Sequence, residues 1–162
     1  MMEPSALSLG TLAVLTPSLL LVEAIFSGSE IAILSADKLR LRSSAKAGSR
    51  KARHVLELAN HPERVFATTL VMTATCVIAL STLIATYLNS RYEENAELLA
   101  VLFTSPLVVV FGELLPKSVF QRKADTIAPW LGYPITIAFW IFFPITKLVS
   151  LYTAGLSRLI GP

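Results

Sequence analysis

Three carboxylates stand where a chain has little reason to put them. Glu23 and Glu30 fall inside the apolar run Leu7–Ala36, and Glu113 falls inside the run Leu98–Val119. An ionisable side chain at membrane depth is costly, so each is first a candidate for an ion path or a binding site. Glu23, Ser27 and Glu30 are spaced i, i+4 and i+7, which places them on one helix face, and Thr16 continues the stripe. The opposite positions are Leu, Ile, Ala and Phe. Gly28 beside Ser27 would let another backbone approach, or let the helix loosen until its carbonyls become ligands.

The most pointed stretch is Phe111-Gly-Glu-Leu-Leu-Pro-Lys117. Pro116 has no N–H to donate and crowds the carbonyl of Gly112, four residues earlier. A bare carbonyl next to the Glu113 carboxylate is the oxygen set a hard cation takes. The plainer reading is a proline kink with a glutamate snorkelling to the boundary. In the run Val65–Leu88, Thr69 and Thr73 share a face with Met72 and Cys76 nearby, and further hydroxyls follow. Most such hydroxyls bond back to their own helix or help helices pack.

The apolar runs contain no histidine, and their single cysteine, Cys76, reads as a small buried hydrophobe. Oxygen donors therefore dominate, which favours Mg2+, Ca2+ or Na+ over zinc or copper. Few carboxylates with small hydroxyls leave room for retained water, which suits Mg2+. His54 and His61 lie in a basic segment away from the buried glutamates. No nucleotide-binding loop or hydrolase triad is present, so no enzyme is expected.

These residues need elements to hold them. The chain of 162 residues is 54% hydrophobic and only 15% charged, against about 25% charged for soluble domains. An all-α integral membrane bundle is expected. Spans are expected at about 7–36, 65–88 and 98–119, each near the ~20 residues needed to cross a bilayer. The 37–64 segment carries eight of the fourteen basic residues. Lying between two membrane-length runs, it reads as cytoplasmic by the positive-inside rule and not as a nucleic-acid surface. Short helices are expected there, with Arg53–Ala59 helical and His61-Pro62 as a stop; its lysines and arginines would meet anionic headgroups. The acidic 89–97 loop is then external and the N-terminus outside. The start at Met1–Pro4 lacks the features of a cleaved signal peptide.

The stretch from Ile127 to about Ile160 allows two parses. It is long and uncharged enough to span, yet it holds Pro129, Pro134 and Pro144. Trp130, Tyr133, Trp140 and Tyr152, followed by Lys147 and Arg158 near the end, favour an interfacial belt. The two parses put the C-terminus on opposite sides.

Phe26-Ser-Gly-Ser-Glu-Ile-Ala-Ile-Leu-Ser35, His61-Pro-Glu-Arg-Val-Phe-Ala-Thr-Thr-Leu70 and Gly112-Glu-Leu-Leu-Pro-Lys117 together resemble the transmembrane domain of the CNNM/CorC magnesium transporters. The resemblance implies a homodimer with three spans per subunit, a bundle over 1–126, and a juxtamembrane belt over 127–162. It implies a cytoplasmic C-terminus leading to paired CBS domains that bind adenine nucleotide such as ATP, beyond this chain. It also implies plasma-membrane (inner-membrane) Mg2+ export, with Na+ as the coupling ion. Matching metal positions are Ser27, the Gly112 carbonyl and Glu113. Where the family commonly has asparagine in span two, this chain has Ala74, so Thr69 or Thr73 would supply a hydroxyl instead. Glu23 and Glu30 line the pathway in this reading. The alternative of another class is a membrane-embedded Mg2+ sensor that regulates other transporters and moves no ion.

Overall fold

The apolar runs need every backbone polar group satisfied within the segment, which a helix provides. The computed structural model describes the backbone of residues 8–92 and 95–160, with side chains as far as Pro144. The start at Met1–Pro4, the middle of the acidic loop, and the side chains of Lys147, Tyr152 and Arg158 lie outside the described residues. The order is α1 (Leu9–Ser35), α2 (Lys38–Lys46), α3 (Arg50–Asn60), α4 (Pro62–Asn89), α5 (Ala96–Leu107), a π-helical segment (Val108–Leu114), α6 (Leu115–Arg122) and α7 (Ala124–Ile160).

Among the described residues four stretches are long and apolar enough to cross a membrane: α1, α4, the α5–α6 rod, and Ala124–Pro144 of α7. The first three hold 27, 28 and 27 residues, about 40 Å at 1.5 Å per residue. That exceeds the ~30 Å hydrocarbon core and leaves room for tilt. The expected three spans are thus accompanied by a fourth helix of spanning length. Its prolines do not break it, since Pro129, Pro134 and Pro144 all lie inside one helix of 37 residues.

Helix α1 is the hub and packs against α4, the π segment, α6 and α7. Two apolar clusters fix the directions. Leu12, Leu19 and Leu20 of α1 meet Leu80, Ile84 and Leu88 near the end of α4. At the other end, Ala32 and Ile33 of α1 meet Val65 at the start of α4, together with Val55 of α3 and Ala128 of α7. The two helices are therefore antiparallel. Alanine is frequent in the second cluster, and small side chains let helices approach closely. Leu21, Leu70, Ile78, Leu98 and Phe103 remain well exposed on the outer faces, as expected where lipid is the solvent.

The basic segment folds as a helical pair. Asp37 caps α2 by accepting from the N–H of Leu39 at 2.8 Å, and Ser49 caps α3 by accepting from the N–H of Ala52. Pro62 does more than stop α3: it occupies the first position of α4, where a missing N–H costs nothing. Helix α3 packs its apolar side against α7. The junction is tied by Asp125 at the start of α7, which accepts from the Asp37 N–H at 2.8 Å and from Arg40 at 3.3 Å.

Candidate cation site

The polar stripe of α1 is divided between two neighbours. Its lower member, Glu30, is half-buried and turns to α4, where the Thr69 hydroxyl donates to its Oε2 at 2.6 Å. The same hydroxyl lies 3.0 Å from the Val65 carbonyl of its own helix. Thr73 donates within α4, to the Thr69 carbonyl at 2.9 Å. The plain reading of a back-bonded hydroxyl therefore describes Thr73, while Thr69 also reaches across to a second helix.

Glu23 turns instead to the π segment, and Ser27 lies buried one turn further along α1. Glu23 has no exposed surface, and Ser27 keeps 2%. Among the described residues neither Glu23 oxygen, nor the Ser27 hydroxyl, has a hydrogen-bond partner. Thr16, two turns above Glu23, and Thr104 of α5 carry buried hydroxyls in the same condition. Buried polar groups are nearly always satisfied, so each orphan asks for an explanation, and an ion is one of the standard ones. An unpaired buried carboxylate asks hardest, since burying charge without a partner costs more than burying any neutral group.

What admits Glu23 is Gly112. A Cβ there would sit 2.7 Å from the Glu23 Cδ and 2.8 Å from each carboxylate oxygen. Gly28 of α1 makes room in a similar way, since a Cβ there would come within 2.8 Å of Cγ of Phe120. The neighbour that Gly28 admits is thus an aromatic ring of α6, and α1 stays helical through that point.

Gly112 lies in the π-helical segment, where the Leu115 N–H reaches back five residues to the Val110 carbonyl. Such single insertions are frequent at functional sites. Pro116 supplies no N–H. It withholds a donor from Gly112 in the α register, and from Phe111 in the π register.

Glu113 is less enclosed, with 44% of its side chain exposed, and Lys117 one turn on donates to its Oε2 at 3.4 Å. Glu113 and Lys117 are also the charges that bear on Glu23. Among the described residues no group of three His, Cys, Asp or Glu side chains gathers as a ready-made metal cage. The structure brings the Glu23 carboxylate against Gly112, with Glu113 near enough to bear on its charge and the buried Ser27 hydroxyl one turn further along α1. The sequence placed Ser27, Gly112 and Glu113 at the metal and Glu23 along the path. In the fold Glu23 is the most buried carboxylate of the set, and Glu113 already has a cation beside it.

A multi-pass helical membrane protein with buried acidic oxygens is the class this geometry defines. Residues 14–162 match the cyclin M transmembrane N-terminal domain family, and the chain belongs to that family. It is 28% identical over 157 residues to a UPF0053 protein of Haemophilus influenzae, covering 96% of this chain and 37% of that protein. It is 29% identical over 144 residues to the UPF0053 inner membrane protein YfjD of Escherichia coli, covering 86% of this chain and 33% of that protein. A third relative, named polyamine export protein, also from Haemophilus influenzae, is 27% identical over 141 residues, with 79% and 33% covered. The chain spans about a third of the length of these relatives. Its helices of spanning length mark a multi-pass membrane protein.

Proposed function

We propose that this chain is the membrane domain of a magnesium exporter, with Mg2+ bound between α1 and the π-helical segment. Glu23 and Glu113 supply the charge, and Ser27 and a carbonyl at Gly112 supply neutral oxygens. Glu30 and Thr69 form a second polar station further along α1. The observation that carries the reading is the Glu23 carboxylate, fully buried with both oxygens unpartnered among the described residues. A divalent ion supplies the missing partner, and the all-oxygen donor set suits Mg2+.

The rest of the reading follows the family. The unit is a homodimer with three spans per subunit, inward Na+ movement as the driving flow, the N-terminus outside, and α7 as a belt leading to cytoplasmic nucleotide-binding domains. Support for the belt comes from α3, the basic helix that α7 follows. Lys51 of α3 stands 3.0 Å over the ring of Trp130, and His54 stacks on Tyr133 at 5.3 Å. Contacts to a strongly charged helix suit an interfacial position for that portion of α7.

The experiment is Mg2+ flux in proteoliposomes carrying the full-length protein, with Glu23→Gln and Glu113→Ala as variants. Wild-type vesicles should move Mg2+ down an imposed gradient, and Glu23→Gln should fall to the level of empty vesicles. Wild-type flux from both variants ends the reading. Absence of flux from the wild type itself, with Mg2+ still bound, favours the sensor.

One relative's name favours a second cargo. A polyamine is also a hard, multiply charged cation that carboxylates and hydroxyls would accept. Glu23 and Glu30, seven residues apart and so about 10 Å along the helix, would hold successive ammonium groups. Polyamine flux that Mg2+ does not inhibit would transfer the proposal to that cargo.

A further inference from the structure

The junction of α3, α4 and α7 borders an open cavity of about 180 Å3 that the cation site leaves unused. Its wall has two characters. Leu58, Ile135, Phe139 and Trp140 give it apolar surface, while Glu57 and Arg64, both exposed, bring opposite charges to its lining. Two histidines also line it, but both are engaged. His54 hydrogen-bonds Thr136 at 2.7 Å, and His61 lies 3.1 Å from Glu63.

Glu57 and Arg64 are not engaged in this way. Among the described residues neither closes an ion pair, with the other or with anything else, although the Arg64 charge bears on the neighbouring Glu63. An anion and a cation that line one cavity without closing on each other fit a ligand carrying both signs. A simple anion would meet Glu57, and a simple cation would meet Arg64.

Position narrows the ligand further. Helix α3 carries Arg50, Lys51, Arg53 and Glu57 outside its apolar side, and α4 turns apolar directly after Arg64. The cavity therefore sits at the depth where water gives way to hydrocarbon. Trp140, 66% exposed, has the ring type that prefers this level. A ligand here has a zwitterionic end toward Glu57 and Arg64, and an apolar end that continues past Phe139 and Trp140 into the bilayer.

We propose that this cavity seats the headgroup of a phospholipid bearing a primary ammonium, phosphatidylethanolamine. The phosphate lies against Arg64, whose guanidinium suits phosphate oxygens. The ammonium donates hydrogen bonds to Glu57. A choline headgroup keeps the charge but has no N–H to donate, and a glycerol headgroup has no cation. The lipid would fasten α7 to the α3–α4 corner from the bilayer side. This inference does not depend on the cargo.

The test is photocrosslinking of the full-length protein in nanodiscs doped with tail-labelled phosphatidylethanolamine, phosphatidylcholine or phosphatidylglycerol. Crosslinks are mapped on the peptide that holds Phe139 and Trp140. The ethanolamine lipid should label it several-fold more than either other lipid. Arg64→Gln should lower that labelling about fivefold, the usual weight of one basic residue at a lipid phosphate, and Arg64→Lys should retain most of it. Glu57→Gln should bring the ethanolamine lipid down to the choline level and leave choline labelling unchanged, which also shows that the fold persists. Equal labelling by all three lipids, or an ethanolamine preference that survives Glu57→Gln, overturns the proposal. Complete displacement by soluble phosphoethanolamine at matched concentration also overturns it, because the occupant would then be a soluble zwitterion.

Discussion

The carboxylate of Glu23 lies against the α-carbon of Gly112, so close that a Cβ at Gly112 would stand 2.7 Å from the Glu23 Cδ. Two residues 89 positions apart thus share one space, a helix face on one side and a π-helical segment on the other.

Gly112→Ala should be destabilising in its own right. Overpacking a tight contact costs about 1–3 kcal/mol, and here the neighbour is a buried carboxylate that must shift to make room. Thermal unfolding in detergent should show a lower Tm for Gly112→Ala. In the double variant with Glu23→Ala most of that loss should return, because contacting residues couple. Additive losses would show that the two side chains do not compete for the same volume.

Glu23→Gln should separate stability from ion binding. It keeps the shape and removes a buried charge that lacks a protein partner, so without divalent cations the variant should be at least as stable as wild type. Wild type should gain stability on adding Mg2+, by about 2.7 kcal/mol at a hundred times the dissociation constant. The variant should gain little. Tm series with and without Mg2+ read both effects.

Thr69 and Thr73 should behave differently. Thr69→Val removes the donor to Glu30 and leaves a half-buried carboxylate short of a partner, at a cost of about 1–3 kcal/mol. Thr73→Val removes a hydroxyl that bonds only within α4, and should stay within about 0.5 kcal/mol of wild type. Thr69→Ser should recover most of the first loss. Denaturation midpoints of the three variants decide it.

Lys117→Met should barely change stability. The pair with Glu113 is one helical turn long and about two-fifths exposed, and such pairs contribute roughly 0–1 kcal/mol. Binding should respond more. Without the lysine beside it, Glu113 has no tethered cation to compete with an ion, so Mg2+ affinity measured by titration calorimetry should rise.

Much of this arrangement could be read along the chain. Periodicity placed Glu23, Ser27 and Glu30 on one face, and all three do turn inward. The basic and acidic segments marked the connections between spans, and Pro62 marked a helix boundary. Local spacing did not show which neighbour each polar group meets. The Glu30–Thr69 bond and the Glu23–Gly112 contact depend on how α1 packs, and packing is a long-range outcome. The ranking of the carboxylates shifted for the same reason. Glu113 sits in the most distinctive stretch, yet its own lysine lies one turn away. Glu23 sits in a plain leucine-rich run and is the one fully enclosed. Pro116 did signal a disturbed helix, but the chain answers it with a change of register between Val108 and Leu114, which a missing N–H alone does not specify.

Helix α7 shows a different limit. Three prolines each remove a helical hydrogen bond, yet helix continues through each. Proline removes one hydrogen bond at a time, and in a membrane helix packed neighbours and local adjustments make good the loss. Packing against α1, α3 and α4 is what such neighbours provide.

The most direct test is a structure of the full-length protein with Mn2+ in place of Mg2+, with the ion located by anomalous scattering. The account predicts a peak bounded by Glu23, Ser27 and the Gly112–Glu113 stretch, and its loss in Glu23→Gln. Glu23 found hydrogen-bonded to protein groups, with the metal bound elsewhere, would contradict it.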